Sequence, residues 1–227
     1  MRVVHRDGVA GARAARGTVV VIDVIRAFTV SAYALAGGAT ECRLVGEVDQ
    51  ALALASRIEG SVVSAEVEGL PVDGIAISNS PTMTRDADLR GRILVQRTSS
   101  GTQGVVAATG ADRLFACSLA VASATARTIA AADPELVTFV ATGSDRGHPE
   151  DRACAAYVEA LLHGGRPDLA ELLAPLRATE RYRTLTSGTW PGFPATDIEL
   201  CLAADRFDFA MPVAPAELGL RLTALPS

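Results

Sequence analysis

Lysine is absent from the chain's 227 residues; all 21 basic residues are arginine. That absence excludes a Walker-A lysine, a Schiff-base or pyridoxal-phosphate lysine and a lysine general base. GC-rich coding alone would produce such a bias. Whatever its origin, the permanent cations are guanidinium groups, planar forks suited to two-point oxyanion binding. Aromatic residues make up 4% and histidines number three, His5, His148 and His163. The four cysteines, Cys42, Cys117, Cys154 and Cys201, are widely spaced and form no CxxC. With so few histidines they give no zinc spacing. They read as reduced packing residues of a cytosolic protein.

Long apolar runs are missing too. Thr18–Ile22 is cut short by Asp23 and Arg26, far below the ~20 residues of a membrane span. The N-terminus carries Arg2 and Arg6 but no signal-peptide pattern. A net charge of −5 argues against binding nucleic acid by phosphate neutralisation. The expectation is a cytoplasmic protein with neither membrane nor nucleic acid as partner. Neither GxGxxG nor GxxxxGK[ST] occurs, so dinucleotide and P-loop folds lack support.

What is present is alternation. Apolar residues make up 49%, enough to bury a sizeable core. Strands are expected at Thr18–Ile22, Glu41–Val45, Ser61–Ala65, Arg92–Gln96, Arg113–Ala116, Leu136–Ala141 and Phe209–Val213. Helices are expected at Ala27–Gly37, Val48–Ile58, Thr102–Ala108, Leu119–Ala132, Glu150–Leu162, Asp168–Leu176 and Asp197–Ala204. The stretch from Glu66 through Pro71 and Gly74 to Pro81 reads as a polar loop. Ser187–Pro194 reads as a Gly/Pro-rich loop holding the chain's one tryptophan. The class is α/β: a layered α/β/α single domain over residues 1–227 with a largely parallel or mixed central sheet.

In such a sheet, ligands bind beyond the carboxyl ends of the strands. The residues there share a theme. Asp23 and Arg26 follow the first strand; Glu66 and Glu68 follow Ser61–Ala65. Arg97-Thr98-Ser99-Ser100-Gly101-Thr102 follows Arg92–Gln96. Thr142-Gly143-Ser144-Asp145-Arg146, then Glu150 and Asp151, follow Leu136–Ala141. Carboxylates, arginines and a hydroxyl/glycine turn suit a hard metal beside a phosphate. Each element also has a plainer role. Asp23 can cap a helix, Glu66 can be a solvated loop charge, and Ser99–Thr102 can be a turn. Glu150 and Asp151 can offset a helix dipole. The convergence at four strand ends favours the functional role. A DxDx[TV] phosphatase motif is excluded, because Ile25 stands where the second aspartate belongs.

The order of motifs resembles the 2-phosphosulfolactate phosphatase family. Val19–Ala39, VVVIDVIRAFTVSAYALAGGA, is similar to its DVLRA-[ST]-T…AL-x-x-GA opening. Ser64-Ala65-Glu66, Gly74 and Ser78-Asn79-Ser80-Pro81 resemble GE(R)…GF-x-x-GNSP. Thr98–Thr102 resembles TTNGT, and Ser118 stands at the serine of GS-x-x-NA. Ala141–Ala155 resembles CAGTEGRFSLEDVLCA, and Gly192, Asp197 and Pro212 fit the C-terminal G…D…P pattern. The resemblance runs from about Val19 to Val213. Asn79 is the chain's single asparagine, and it falls inside a motif. Departures are Ser78 for Gly, Ser100 and Val121 for Asn, and Ser144-Asp145 for Glu-Gly.

The resemblance implies Mg²⁺-dependent hydrolysis of the phosphate monoester of 2-phosphosulfolactate, a step towards coenzyme M in methanogens. It implies Asp23, Glu66, Glu150 and Asp151 around the metal, with Asp23, Arg26, Glu66 and Asp151 as catalytic residues. Arg26, Asn79, Ser80, Arg97, Ser99, Ser100, Gly101, Thr102 and Arg146 would hold a small anionic phosphorylated substrate. A homodimer stays open. So do activity on another small phosphorylated acid and a non-catalytic anion-binding role in the same fold.

Overall fold

The computed structural model describes residues 1–143 and 147–227. Its centre is β2 (Gly17–Ile22), whose residues Val19 to Ile22 are wholly buried, as a strand covered on both faces requires. β2 pairs in parallel with β7 (Ala111–Cys117) and β8 (Leu136–Ala141). β8 also pairs in parallel with β1 (Arg2–Asp7). A second parallel block contains β3 (Glu41–Leu44), β6 (Ile93–Arg97) and β4 (Val62–Val67). Two antiparallel strands, β9 (Phe209–Pro215) and β10 (Leu220–Leu222), join the blocks. The short β5 (Leu70–Pro71) folds back on β4, and β11 (Leu225–Pro226) lies beside β9. The order is β1-β8-β2-β7-β9-β10-β3-β6-β4-β5, so the sheet is mixed.

This topology bears on the site. Three antiparallel steps reverse the second block relative to the first, which in a flat sheet would send their carboxyl ends to opposite edges. Sheets twist by about 20–25° per strand pair, so five steps from β2 to β6 turn the chain direction by roughly 100–125°. The twist brings the two sets of carboxyl ends back together. Gly101, just after β6, packs against Asp23, just after β2.

Helices flank the sheet. α1 (Gly8–Ala14) packs on α5 (Gly101–Ala107), and α6 (Ala122–Ala132) packs on α7 (Pro149–Leu162). α2 (Ala27–Ala36) and α11 (Thr196–Leu202) pack on α4 (Pro81–Asp86), while α3 (Val48–Ala55) covers β6. α8 (Leu169–Leu172), α9 (Ala174–Arg177) and α10 (Glu180–Thr186) follow α7 in short turns. Among the described residues no helix is long and apolar enough to cross a membrane.

Every expected strand is present. The expected helix Asp168–Leu176 is instead two single turns, α8 and α9, with Pro175 at the start of the second. Proline lacks the N–H that would continue the first turn. The polar stretch before Pro81 holds β5, and α4 begins at Pro81 itself. β1, α1, α10 and β10 had no counterpart in the sequence reading. β1 is an edge strand whose mostly exposed side chains give no buried-strand signal. α1 contains Gly8 and Gly11, poor helix formers that its packing on α5 overrides.

Gln96 links this frame to the site. It is fully buried at the end of β6. Its Nε2 donates to the Ala27 carbonyl at 2.8 Å and to Asn79 Oδ1 at 3.2 Å. Its Oε1 accepts from Ser31 Oγ at 2.7 Å. Gln96→Leu would leave buried polar partners unsatisfied, at about 1–3 kcal/mol each. We expect destabilisation of roughly 2–4 kcal/mol in denaturant titration; a loss below about 0.5 kcal/mol would refute this bridge.

Candidate functional site

A cavity of about 370 Å³ opens where these strand ends meet. It is lined by Asp23, Arg26, Glu66, Asn79, Ser99, Ser100 and Asp151 of the expected set. Ile25, Glu68, Gly69, Gly143 and His148 complete one side; Arg181, Thr184, Leu185, Trp190 and Phe193 complete the other. Arg146 lies outside the described residues.

Asp23 emerges from β2 and is 5% exposed. Its Oδ1 accepts from the Ala27 N–H at 3.1 Å, so it does cap α2. Among the described residues, its Oδ2 receives only a 3.4 Å hydrogen bond from Thr142 Oγ1. Burial, reinforced by the charges of Glu66 and Glu150, raises its pKa from 3.8 to about 6. Gly101 leaves room for it: a Cβ there would sit 2.8 Å from Asp23 Oδ2 and 2.6 Å from Ala27 Cβ.

The other carboxylates are largely occupied. Asp151 accepts from the Val24 N–H through Oδ1 and the Gly143 N–H through Oδ2, both at 2.8 Å. It staples the ends of β2 and β8 together. Burial first, then the charges of Asp23 and Glu150, push its pKa well above the usual carboxylate range. Glu66 accepts from the Ser99 and Gly69 N–H groups and from Ser99 Oγ. Glu150 is buried in the first turn of α7. Its Oε1 accepts from Arg181 Nη1 at 2.7 Å; among the described residues its Oε2 has no hydrogen-bond partner, and Glu150 lies behind the cavity lining.

The arginines diverge from the sequence-based expectation. Arg26 lines the cavity, but its Nη1 donates to Asp197 Oδ2 at 3.0 Å and to the Gly192 carbonyl at 2.6 Å. The Phe193 ring lies 4.4 Å from its guanidinium carbon. Arg97 does not line the cavity. It donates to the carbonyls of Gly46 and Glu66 and to Ser99 Oγ, bracing the loops behind. Ser80 is also outside the lining: it caps α4, accepting from Met83 N–H at 3.2 Å and donating to Asp197 Oδ1 at 2.7 Å. Asn79 lines the cavity with a φ of 61°, a backbone region that asparagine tolerates better than most residues.

The Thr98–Thr102 turn is partly self-satisfied. Thr98 N–H donates to Thr102 Oγ1, Thr102 N–H to Thr98 Oγ1, and Ser99 N–H to Glu66. Thr102 is buried and absent from the cavity wall. Ser100 lines the cavity and Gly101 does not; among the described residues, the Ser100 N–H has no hydrogen-bond acceptor.

All four cysteines are free, buried and outside this cavity. Burial pushes the Cys42 thiol up to about 12. A hydrogen bond with Cys117, then burial, raises the Cys154 thiol well above its ordinary range. Such thiols are inert.

The sequence reading missed the far wall. α10 has its signals, a Thr179 cap accepting from Tyr182 N–H with Glu180 in the first turn and Arg183 in the last. The lone tryptophan joins this wall, its Nε1 donating to the Gly69 carbonyl at 3.2 Å.

The four expected carboxylates do not form a metal cage. Among the described residues, no three His, Cys, Asp or Glu side chains group to hold an ion. Backbone amides claim Glu66 and Asp151, and Arg181 claims one oxygen of Glu150. Mg²⁺ needs less: one or two carboxylates, with water and substrate oxygens completing six. Asp23 Oδ2 and the unpartnered Oε2 of Glu150 are hard oxygen donors that fit this demand.

Comparison with known proteins identifies the family. The family profile of 2-phosphosulpholactate phosphatase matches residues 5–213. A Bacillus subtilis protein named "Probable 2-phosphosulfolactate phosphatase" is 31% identical over 200 residues, covering 86% of each chain. A Carboxydothermus hydrogenoformans protein of the same name is 32% identical over 144 residues, 63% of this chain and 60% of that one. A third, from Symbiobacterium thermophilum, is 31% identical over 151 residues and 65% of each chain. These names define the class: a phosphatase, a phosphoric monoester hydrolase. The chain belongs to the 2-phosphosulpholactate phosphatase family.

Asp23 gives a pH test. Its folded pKa of about 6 lies above its ordinary 3.8, so the unfolded chain releases this proton first as pH rises. Stability therefore falls between about pH 4 and 6 and stays lowered above, by about 3 kcal/mol. Asp23→Asn keeps the cap and removes that charge. In chelator, the variant should melt higher than wild type at pH 8, the gap closing towards pH 4. A lower melting temperature at pH 8 would sink this account of Asp23.

Proposed function

We propose that this chain is a Mg²⁺-dependent phosphatase hydrolysing 2-phosphosulfolactate to sulfolactate and inorganic phosphate. The observation that carries the reading is one cavity lined at once by Asp23, by the Ser99-Ser100 turn and by the guanidiniums of Arg26 and Arg181. Family membership supports the same substrate. A protein of net charge −5 can hold a polyanion only by concentrating positive charge locally.

When bound, Mg²⁺ would supply charge neutralisation and polarise a phosphoryl oxygen, held by Asp23 with Glu150. The chain's own residues do the positioning. The Ser100 N–H, on the cavity wall, donates to a phosphoryl oxygen. Arg26, fixed by Asp197, offers its remaining donors from a set position. Asp151 and Glu66 hold the loops that carry these groups. Phosphoryl transfer depends mainly on such placement and charge stabilisation. The reaction fits a step towards coenzyme M, and the four free thiols support a reducing, cytoplasmic setting.

The test is phosphate release by the purified protein from 2-phosphosulfolactate, phospholactate, 3-phosphoglycerate and phenyl phosphate. We expect the highest kcat/KM with 2-phosphosulfolactate, abolition by chelator and restoration by Mg²⁺. Asp23→Asn should lose about 100-fold or more in turnover while remaining folded. A higher kcat/KM for another acid would replace the substrate, and release from none would leave an anion-binding protein. Turnover indifferent to chelator would remove the metal.

A further inference from the structure

We infer that Arg181 is the specificity residue that binds the second anionic group of the substrate, a carboxylate or sulfonate, away from the reacting phosphorus. The inference rests on the function proposed above and deepens it.

The argument begins with α10. Arg181, Thr184 and Leu185 stand at i, i+3 and i+4, one face of a helix, and all three line the cavity. This helix therefore presents one cation, one hydroxyl and one apolar side chain to the bound molecule. Thr184 Oγ1 is turned back onto the Glu180 carbonyl at 3.2 Å. Arg181 is the charged group left on that face.

Its anchoring is asymmetric. Arg181 Nη1 donates to Glu150 Oε1 at 2.7 Å; the arginine side chain is 26% exposed and the glutamate 1%. A guanidinium has five N–H donors in a rigid fork. Among the described residues, Glu150 is the hydrogen-bond partner Arg181 has. One end is thus fixed by a buried carboxylate and the remaining edge is free. A fork already held in place loses less freedom when it binds an oxyanion.

The arginines that the sequence singles out, Arg26 and Arg97, are placed differently. Arg26 is 4% exposed, tied to Asp197, and stacked by Phe193. Arg97 is spent on the carbonyls of Gly46 and Glu66. The phosphoryl group belongs with Asp23 and the Ser99-Ser100 turn, at the strand ends. Arg181 comes from a different element, on the wall with Thr184, Leu185 and Trp190. A three-carbon acid bearing phosphate at one position and a second anion at another can span those two sources of charge. A monoester of a plain alcohol cannot use the second.

Arg181→Lys keeps a cation beside Glu150 but not the fork. Arg181→Gln keeps a hydrogen-bond donor there without charge. The readout is the ratio of kcat/KM for 2-phosphosulfolactate over that for phenyl phosphate, which has no second anion. Both variants should lower this ratio by about 10- to 100-fold, mainly through KM, as loss of a charged hydrogen-bond pair implies. A ratio within about twofold of wild type in both variants, with folding confirmed by circular dichroism, would overturn the assignment. Should the wild type turn over neither ester, the proposed function fails separately. Calorimetric binding of sulfolactate against inorganic phosphate then reads the same contact. A selective loss of sulfolactate affinity in the variants supports Arg181, and equal losses overturn it.

Discussion

The buried pair between Arg26 and Asp197 holds the two halves of the site together. Asp197 is fully buried at the start of α11. Its Oδ1 accepts from Ser80 Oγ and Thr82 N–H, and its Oδ2 from Arg26. One carboxylate thereby joins the starts of α2, α4 and α11. Such a pair adds little net stability, yet removing one partner leaves an uncompensated charge, at roughly 3–5 kcal/mol. The guanidinium also holds the Gly192 carbonyl and the Phe193 ring. Gly192 fits only as glycine: its φ is 66°, and a Cβ would sit 2.5 Å from Pro71 Cγ. The wall of the cavity is seated on a residue that the sequence suggests is simply a phosphate clamp.

A division of labour among carboxylates follows from burial. Asp151 and Glu66 have their oxygens filled by N–H groups, so their negative charge is met by backbone dipoles. Asp23 has one good hydrogen bond and one long one, and neighbouring carboxylates make its charge harder to bear. Glu150 is half satisfied by Arg181. Burial and neighbouring carboxylates disfavour the charge of both Asp23 and Asp151. Among the described residues, the carboxylate oxygens least met by donors are Asp23 Oδ2 and Glu150 Oε2.

Much of the fold was legible because β2, β7 and β8 carry apolar runs and α3 and α6 carry helical periodicity. The residues lining the first wall were legible for a related reason: they follow those strands directly. The rest depends on tertiary facts. Nothing in the local sequence around Asp197 reveals that it will meet Arg26, 171 positions away. The mixed sheet turns on β9 and β10, whose antiparallel pairing is a property of partners rather than of their own residues. β1 is hidden by its exposed side chains. α10 is the exception, since Thr179 and Glu180 signal a helix start; its weight was lost among the short, proline-broken turns before it.

The irregular C-terminal third is also where this chain's own chemistry shows. The strand-end residues line one side of the cavity. The wall built from α10 and the loop to Phe193 lines the other, and such loop-borne surfaces commonly set selectivity. Ser78 illustrates the coupling. It stands where the family motif has glycine, and its hydroxyl donates to the Gly192 carbonyl at 2.9 Å. That carbonyl is the one Arg26 also holds. The departure does not reach into the cavity; it adds a second tether to the segment carrying Phe193. A change that looks like drift in a phosphate motif is thus a change in how firmly the selective wall is held.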